Sequence, residues 1–169
     1  MDSLVFGFFH SLAGRLAVLD WLIVFFAVYL PYFLAACLFL FLFRSVRRSF
    51  SARAFFLTEV LLSVILARGV LVELIRFFYH RPRPFVALGF TPLVLSESFS
   101  FPSGHAAFFT ALALVLFSFN RRWGWWFLGL TLFNGLTRVM AGVHWPSDIV
   151  AGIGAGFLGF LLVHFVLRS

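Results

Sequence analysis

The sequence predicts an all-α fold: a polytopic membrane bundle of about five transmembrane helices, preceded by one helix in the membrane interface. Three observations support this prediction. Of the 169 residues, 63% are hydrophobic and only 11% are charged, whereas a soluble domain carries about 25% charged residues. Five apolar segments approach or exceed the length that crosses a hydrocarbon layer about 30 Å thick. Basic residues collect in the connections that follow the first, third and fifth segments.

Residues 1–19 are expected to form the interfacial helix. Apolar side chains recur there at helical spacing, while Gly7, Gly14 and Arg15 interrupt any continuous span. A signal peptide is the competing interpretation, but the segment lacks a basic start and a clear small-residue cleavage site. Residues 21–167 then form the bundle, so that residues 1–169 make one membrane-embedded domain.

The five predicted spans follow one another with mostly short connections. We expect Pro31 to kink the first span, and an aromatic cluster around Trp123 opens the fourth. Several glycines in the fifth span would let a neighbouring helix approach closely. The spans are predicted over residues 21–43, 54–78, 104–119, 123–140 and 147–167.

The positions of the arginines predict how the bundle is oriented. All 13 basic residues are arginines, and those in the connections after the first, third and fifth spans are Arg44, Arg47, Arg48, Arg53, Arg121, Arg122 and Arg168. With five spans they share one side, which the positive-inside rule makes cytoplasmic. The loop 79–103 and the turn 141–146 then face the exterior, and the C-terminus faces the cytoplasm. The chain is expected in the plasma (inner) membrane.

Composition also bears on partners. The formal net charge is +7, but the arginines are split among loops and motifs, so nucleic acid is not an expected partner. The single Cys37 lies in an apolar run, where it serves as packing and has no partner for an internal disulfide. The bilayer itself is the expected environment, and the sequence does not determine an oligomeric state.

The first of three polar motifs lies at the outer end of the second span. It reads Arg76-x6-Arg83-Pro84, and the prolines that follow the span end the helix and hold the chain extended. Each guanidinium offers planar paired donors that suit phosphate oxygens. The competing interpretation is a basic cluster that contacts lipid headgroups.

The second motif, Pro102-Ser103-Gly104-His105, leads into the third span. Ser103 suits a helix N-cap, and the unpaired backbone N–H groups of a helix start attract anions. Gly104 permits close approach to the backbone, and His105 would face a bound phosphate from the first turn. The competing interpretation is an ordinary cap beside a structural histidine.

The third motif, Arg138-x5-His144-x3-Asp148, joins the fourth and fifth spans. Asp148 can accept a hydrogen bond from one ring nitrogen of His144 and leave the other nitrogen nucleophilic. A simple helix cap by Ser147 or Asp148 is the competing interpretation. Jointly the motifs gather two histidines, three arginines and a carboxylate at one membrane face, where ionisable groups are costly and indicate function.

These motifs resemble the signature motifs of the type 2 phosphatidic acid phosphatase superfamily, which shares its site with vanadium haloperoxidases. The second motif matches fully, whereas Arg76 stands in place of the usual lysine and Thr137 in place of the usual serine. The resemblance implies a lipid phosphatase that needs no metal or other cofactor, because arginines supply the positive charge. The groups that it implies to hold the phosphoryl group are Arg76, Arg83, Ser103, the backbone N–H of Gly104, and Arg138.

The resemblance also implies the catalytic residues. His144 would attack phosphorus in line and form a phosphohistidine, and Asp148 would orient and stabilise it. His105 would protonate the leaving oxygen and then assist water. Three residues near the motifs are candidate accessory contacts: His80, Arg81 and Glu97. For Glu97 the alternative is an ordinary solvated acid in the loop.

Two further strings narrow the substrate. Residues 17–21 and 83–87 are similar to bacterial undecaprenyl pyrophosphate phosphatases of the bacitracin-resistance type, which act on the lipid carrier of cell-wall synthesis at the outer face of the inner membrane. A phosphatase for phosphatidic acid, phosphatidylglycerol phosphate or another lipid phosphate is the first alternative. A vanadate-dependent oxidase and a non-catalytic lipid-binding protein are others, the latter opposed by the presence of every reactive residue.

The second span carries further charged residues outside the motifs. Arg68 is expected to face the bundle and to pair with Glu73, or in a second arrangement with Glu59. The function predicted for this pairing is either packing specificity or substrate positioning.

Overall fold

The computed structural model describes residues 1–44 and 50–169. The side chain of Arg44 and the predicted cytoplasmic residues Arg47 and Arg48 lie outside what is described. All regular elements in the described ranges are helical, as predicted: α1 (Asp2–His10), α2 (Ala17–Val24), a π-helical turn (Phe25–Tyr29), α3 (Leu30–Arg44), α4 (Phe50–Val64), a second π-helical segment (Ile65–Leu71), α5 (Val72–Phe78), α6 (Pro84–Leu88), α7 (Gly104–Phe119), α8 (Arg121–Met140) and α9 (Pro146–Arg168).

Five long helical stretches lie at the five predicted spans. The first consists of α2, the π-helical turn and α3 without a break, and the second of α4, the π-helical segment and α5. Three stretches in the described part of the chain are long and apolar enough to cross a membrane by length and composition alone: Ala17–Leu38, Phe50–Phe78 and Pro146–Arg168. α7 is apolar but shorter, and it packs against both α8 and α9.

The predicted helix over residues 1–19 is wrong in its length. α1 ends at His10, and α2 begins at Ala17. In the connection, Gly14 adopts a φ of 77°, a conformation that favours glycine and cannot continue a helix. The Asp20 carboxylate accepts a hydrogen bond from Gly14 N–H (2.8 Å) and closes this turn.

α1 has one side packed on the bundle and one side exposed. Phe6 is buried, and its ring centroid lies 5.1 Å from that of Trp145. His10 Nδ1 lies 2.8 Å from the Met140 carbonyl oxygen. Exposed apolar residues such as Phe8 lie on the other side, so α1 covers the junction of α8 and α9 while keeping an apolar outer face.

Pro31 influences the bundle through the carbonyl four residues before it. Proline has no N–H to donate to the Ala27 carbonyl, and a π-helical turn precedes it. That carbonyl accepts a hydrogen bond from Arg138 Nη1 (3.3 Å), and the neighbouring Phe26 carbonyl accepts one from Asn134 Nδ2 (2.8 Å). The irregular turn therefore connects the first long stretch to the motif-bearing end of α8.

Glycines on α9 let it cross α7 closely. A Cβ on Gly152 would lie 2.8 Å from the Ala106 Cβ and overlap the Ser103 carbonyl, and one on Gly156 would lie 2.7 Å from the Thr110 Cβ. Gly159 meets the backbone of the second π-helical segment in the same way. The predicted close approach is thus confirmed for these three, whereas Gly154 has nothing within 4 Å of such a Cβ.

Glu59 anchors the opposite end of the bundle, where α4 meets α9. Its carboxylate is fully buried and lies 2.6 Å from His164 Nδ1 and 3.3 Å from Arg168 Nη2. Arg168 also donates to Ser118 Oγ (3.3 Å) on α7. Glu59, His164 and Arg168 therefore form a polar cluster at the end of the bundle where α9 finishes.

Candidate active site

The three motifs meet at one end of the bundle, where α5 and α8 end and α7 and α9 begin. Ser103 N–H donates to the Asp148 carbonyl oxygen (2.9 Å), which joins the second motif to the third. Arg83 Nη1 donates to the Val143 carbonyl oxygen (2.6 Å), which joins the first motif to the third. Residues far apart in sequence are therefore held as one constellation.

His144 and Asp148 form the buried centre of this constellation. His144 is 1% exposed and Asp148 is 0% exposed. His144 Nδ1 lies 3.4 Å from Asp148 Oδ2, which is longer than a normal hydrogen bond. With Nδ1 facing the carboxylate, Nε2 is the ring nitrogen that remains to attack a substrate.

Asp148 is held firmly by other groups. Its Oδ2 accepts hydrogen bonds from Trp145 N–H (2.8 Å) and Ser100 Oγ (2.5 Å). Its Oδ1 accepts one from Arg81 Nη1 (2.7 Å). The carboxylate therefore caps α9 while it faces His144, so the capping interpretation does not exclude the catalytic one.

The surroundings of His144 favour its neutral form. Burial lowers its pKa to about 3; the nearby Asp148 carboxylate opposes this shift, and the charges of Arg138 and Arg83 add to it. The imidazole is consequently neutral at physiological pH. A neutral imidazole keeps the lone pair that attack on phosphorus requires.

Arg83 is fixed by backbone and side-chain acceptors of the loop before α7. Its Nε donates to the Ser98 carbonyl (2.6 Å) and its Nη2 to Ser98 Oγ (3.0 Å). Burial lowers the pKa of Arg83 to about 10, so its charge persists at neutral pH. The guanidinium is thus rigid and positively charged before any ligand arrives.

Arg76 and Arg138 complete the group of motif arginines. Both are buried, and Arg76 Nη2 donates to the Pro102 carbonyl (3.0 Å), joining the first motif to the second. The Nε groups of both arginines have no hydrogen-bond partner among the described residues. Buried charged donors without a partner are costly, and a bound anion such as phosphate would satisfy them.

The second motif occupies the start of α7. Ser103 is the N-cap, and its Oγ accepts from Ala106 N–H (3.4 Å). A side chain at Gly104 would overlap the Arg68 guanidinium, so glycine is needed here for close packing. His105 follows in the first turn of α7, where it lines a cavity together with Arg68 and Gly104.

The three accessory candidates line a cavity of about 220 Å³ on the loop side of Arg83. His80 and Glu97 are exposed there, and His80 packs against the Phe99 ring (4.5 Å between centroids). Arg81 instead turns inward: its terminal nitrogens donate to Asp148, to Ser147 Oγ (2.6 Å) and to Asp2 (2.6 Å). Arg81 therefore lies behind the Asp148 carboxylate, on the side away from His144.

Asp2 is a site residue that the sequence does not reveal. Its Oδ1 accepts from Ser147 N–H (3.0 Å) and its Oδ2 from Ser147 Oγ (2.6 Å) and Arg81. Burial raises the pKa of Asp2, but the hydrogen bonds from Ser147 and Arg81 outweigh it, and the pKa is lowered overall. Asp2 contacts Ser147 and Arg81, and Ser100 contacts Asp148. These contacts span long sequence separations, and no local pattern marks Asp2 or Ser100.

Arg68 pairs with Glu73 as predicted, and the alternative pairing with Glu59 is wrong. Arg68 forms an ion pair with Glu73, while Glu59 lies at the far end with His164 and Arg168. Glu73 also lies 3.3 Å from Arg76 Nη1. Arg68 thus lies beside the motif arginines, although it belongs to none of the motifs.

Comparison with known families agrees with this geometry. The model of the PAP2 superfamily matches residues 56–168, a range that contains all three motifs and every catalytic candidate. The chain belongs to the PAP2 superfamily. Its resemblance to that family, inferred above from the motifs, is thereby confirmed.

The chain is similar to relatives that carry different names. Over 160 residues the chain is 28% identical to the bacitracin transport permease protein BcrC of Bacillus licheniformis, covering 94% of this chain and 76% of that one. It is 34% identical over 98 residues to the undecaprenyl-diphosphatase BcrC of Bacillus subtilis, covering 57% and 51%. It is 36% identical over 106 residues to a lipid A 1-phosphatase of Rhizobium etli, covering 57% and 44%.

The fold is also that of solved PAP2 proteins. The crystal structure of Aquifex aeolicus LpxE superposes with a TM-score of 0.73 at 26% identity, covering 95% of this chain and 92% of that one. A transmembrane PAP2-type phosphatidylglycerolphosphate phosphatase from Bacillus subtilis superposes with a TM-score of 0.60. The all-helical membrane fold predicted from the sequence is confirmed.

Proposed function

We propose that this membrane PAP2 phosphatase hydrolyses undecaprenyl pyrophosphate to undecaprenyl phosphate and inorganic phosphate, at the outer face of the membrane. The observation that carries the proposal is the buried His144–Asp148 pair, 3.4 Å apart, beside buried arginines with unpartnered donors. A neutral nucleophile facing a fixed positive site is suited to phosphoryl transfer.

In the first step, His144 Nε2 attacks the terminal phosphorus in line. A P–N bond forms while the bond from phosphorus to the bridging oxygen breaks. Arg76, Arg83 and Arg138 stabilise the charge that spreads over the equatorial oxygens. His105 gives its proton to the leaving oxygen, and Asp148 stabilises the positive charge on His144.

In the second step, water attacks the phosphohistidine. His105, now deprotonated, takes a proton from that water as general base. The P–N bond breaks, inorganic phosphate leaves, and His144 returns to its neutral form. No step requires a metal, because arginines carry out the charge stabilisation that Mg²⁺ performs in other phosphoryl-transfer enzymes.

The relatives support the choice of substrate. The first relative spans 94% of this chain, and the protein bearing the same short name in Bacillus subtilis is called an undecaprenyl-diphosphatase. The outward orientation that the loop arginines predict suits a lipid carrier whose headgroup is exposed at the outer face.

A phosphatase for another lipid phosphate is the second candidate. The lipid A 1-phosphatase of Rhizobium etli is 36% identical over its matched residues, and the solved LpxE covers 95% of this chain. The chemistry at His144 would be unchanged, and the groove that receives the lipid would differ.

Phosphate release by the purified protein in detergent with EDTA tests the proposal. Undecaprenyl pyrophosphate is compared with phosphatidic acid, and His144→Ala with wild type. We expect preference for the pyrophosphate and a loss of at least about 10³-fold in His144→Ala, in line with removal of a catalytic nucleophile. His164→Ala, at the opposite end of the bundle, is the matched histidine control and should remain active.

Each part of the proposal can fail separately. Preference for phosphatidic acid would retain the mechanism and replace the substrate. Activity that survives in His144→Ala would replace the nucleophile. An acid-labile phosphoryl group on wild-type protein, missing from His144→Ala, would support the covalent intermediate directly.

A further inference from the structure

Arg68 is more exposed than the motif arginines and less firmly held by protein acceptors. Arg76, Arg83 and Arg138 are each at most 6% exposed, and each donates to a backbone carbonyl. The Arg68 side chain is 39% exposed, and its ion-pair partner Glu73 is 51% exposed. A half-exposed carboxylate is a weak competitor for a guanidinium, so a ligand of higher charge could take its place.

Arg68 also lies on the leaving-group side of the site. Its guanidinium rests directly over the Gly104 backbone, and it lines the same cavity as His105. The π-helical segment Ile65–Leu71 that carries it is an irregularity frequently associated with functional sites. His105 is the group proposed to protonate the leaving oxygen, so Arg68 is placed where that oxygen's substituent must lie.

A cavity joins these groups to apolar surface. It has a volume of about 230 Å³ and is lined by Pro31, Arg68, Gly104, His105, Phe108 and Phe109. One wall is therefore charged or polar, and the other walls are apolar. This combination suits a group with an anionic end and a hydrocarbon tail.

We infer that Arg68 binds the second phosphate of a lipid diphosphate, the phosphate that remains on the lipid, and so makes the enzyme favour diphosphates over monophosphates. The inference rests on the proposed function. When the bridging P–O bond breaks, a diphosphate releases a lipid phosphate that carries negative charge, and Arg68 stabilises that charge. A monophosphate ester releases a neutral alcohol, which gains nothing from a guanidinium.

The cavity beside His80 and Glu97 is a less suitable place for this phosphate. His105 is not among the residues that line it, although the bridging oxygen must be next to His105. Arg81, the basic residue there that could otherwise contact a second phosphate, donates to Asp148, Ser147 and Asp2.

The test compares substrates that share a tail and differ by one phosphate. kcat/KM is measured for undecaprenyl pyrophosphate and undecaprenyl monophosphate with wild type, Arg68→Gln and Arg68→Lys. We expect Arg68→Gln to lose about 10- to 100-fold on the diphosphate, as for loss of a charge-assisted hydrogen bond, and less than about threefold on the monophosphate. Arg68→Lys should recover most of the loss, because it restores the charge.

Arg122→Gln is the matched control, since Arg122 is an exposed arginine at the opposite end of the bundle. This substitution should leave kcat/KM unchanged for both the diphosphate and the monophosphate. An equal loss on both substrates in Arg68→Gln would show a general structural role and overturn the inference, as would no loss on either.

Two additions separate this inference from the proposed function. If wild type acts on glycerolipids instead, diacylglycerol pyrophosphate and phosphatidic acid form the equivalent pair. The loss of kcat/KM in Arg68→Gln on the diphosphate is then compared with the loss on the monophosphate in the same way. Independently of turnover, thermal stabilisation by inorganic pyrophosphate should exceed that by inorganic phosphate in wild type, and the difference should vanish in Arg68→Gln. A difference that persists in the variant would overturn the inference even if the polyprenyl substrate proved correct.

Discussion

Asp148 shows how one side chain serves several functions at this site. Its carboxylate accepts hydrogen bonds from the N–H of Trp145, the N-cap of α9, from the Ser100 hydroxyl and from the Arg81 guanidinium. It also faces His144. A carboxylate that accepts hydrogen bonds from several donors is held in one position. The environment of His144, the proposed nucleophile, is therefore coupled to the start of a long helix and to the loop before α7.

The titration of His144 predicts how stability depends on pH. Its folded pKa of about 3 lies below the value near 6.5 of an unfolded chain. As pH falls below 6.5 the unfolded chain binds a proton that the folded protein does not. The stabilisation is thus complete above pH 6.5 and is lost as pH falls toward 3, by on the order of 2 kcal/mol at pH 5.

Thermal unfolding in detergent at pH 7.5 and pH 5.0 tests this expectation. The Tm of wild type should fall on acidification, and that of His144→Gln should fall less. Equal falls in the two proteins would show that His144 does not carry the effect.

Asp2 offers a test of a residue that acts through others. Asp2→Asn removes the charge that holds Arg81, and Arg81 then holds Asp148 less firmly. We expect kcat to fall by about three- to tenfold, the range expected for a weakened ion pair of roughly 1 kcal/mol, with KM nearly unchanged because Asp2 does not touch substrate. Steady-state kinetics with a lipid diphosphate measures both.

Asp20→Asn is the matched control for this effect, since Asp20 lies in the same N-terminal region but bonds to Gly14 N–H. Its kcat should equal that of wild type. A rise in KM without loss of kcat in Asp2→Asn would contradict a positioning role.

At the scale of elements, the contact between α7 and α9 positions the second and third motifs. Gly152 lies against the Ser103 carbonyl and Gly156 against the Ala107 carbonyl. Small residues at such a crossing let two backbones meet without side chains between them. The helix starts that bear Ser103 and Asp148 are consequently held in direct backbone contact.

Alanine substitutions on α9 should separate packing glycines from outward ones. Gly152→Ala and Gly156→Ala force α7 and α9 apart, and we expect each to destabilise the protein by about 1–3 kcal/mol, the usual cost of overpacking. Gly152→Ala should also lower activity, because the atom it displaces belongs to the second motif. Denaturant or thermal unfolding in detergent gives the stability, and phosphate release gives the activity.

Gly154→Ala provides the contrast on the same helix. Its Cβ would meet nothing within 4 Å, and alanine favours a helix over glycine by about 1 kcal/mol. We expect stability to be unchanged or slightly raised. Equal destabilisation at all three positions would mean that the α7–α9 crossing does not depend on close backbone contact.

For the molecule as a whole, the bundle has two chemically different ends. The three motifs, Asp2 and Arg68 occupy one end, and the cluster of Glu59, His164 and Arg168 occupies the other. Arginines near the second end predict that it faces the cytoplasm.

Cysteine labelling tests this orientation. Cys37 is the single cysteine of the sequence, so Cys37→Ala gives a background for new cysteines. Leu95→Cys, in an exposed part of the loop before α7, should react with a membrane-impermeant maleimide in intact cells. Ser169→Cys should react only after permeabilisation, and the reverse pattern would overturn the predicted sidedness.

The sequence by itself determined the helical membrane class, the five long helices within a few residues of their ends, and the three motifs with their family. These properties depend on local hydrophobic periodicity, on helix-ending prolines and on short fixed spacings, all of which are visible along the chain. The same local reasoning failed at residues 1–19, where the helix ends at His10 and a left-handed glycine turn that Asp20 closes separates it from the next helix.

Only the tertiary structure decided which distant side chains join the site. Asp2 reaches Ser147 across 145 positions, Ser100 reaches Asp148 across 48, and Arg68 lies over Gly104. Arg81 was expected near substrate but lies behind Asp148. Such contacts depend on how helices cross and how far side chains extend, and a single sequence carries no periodic or local signal for either.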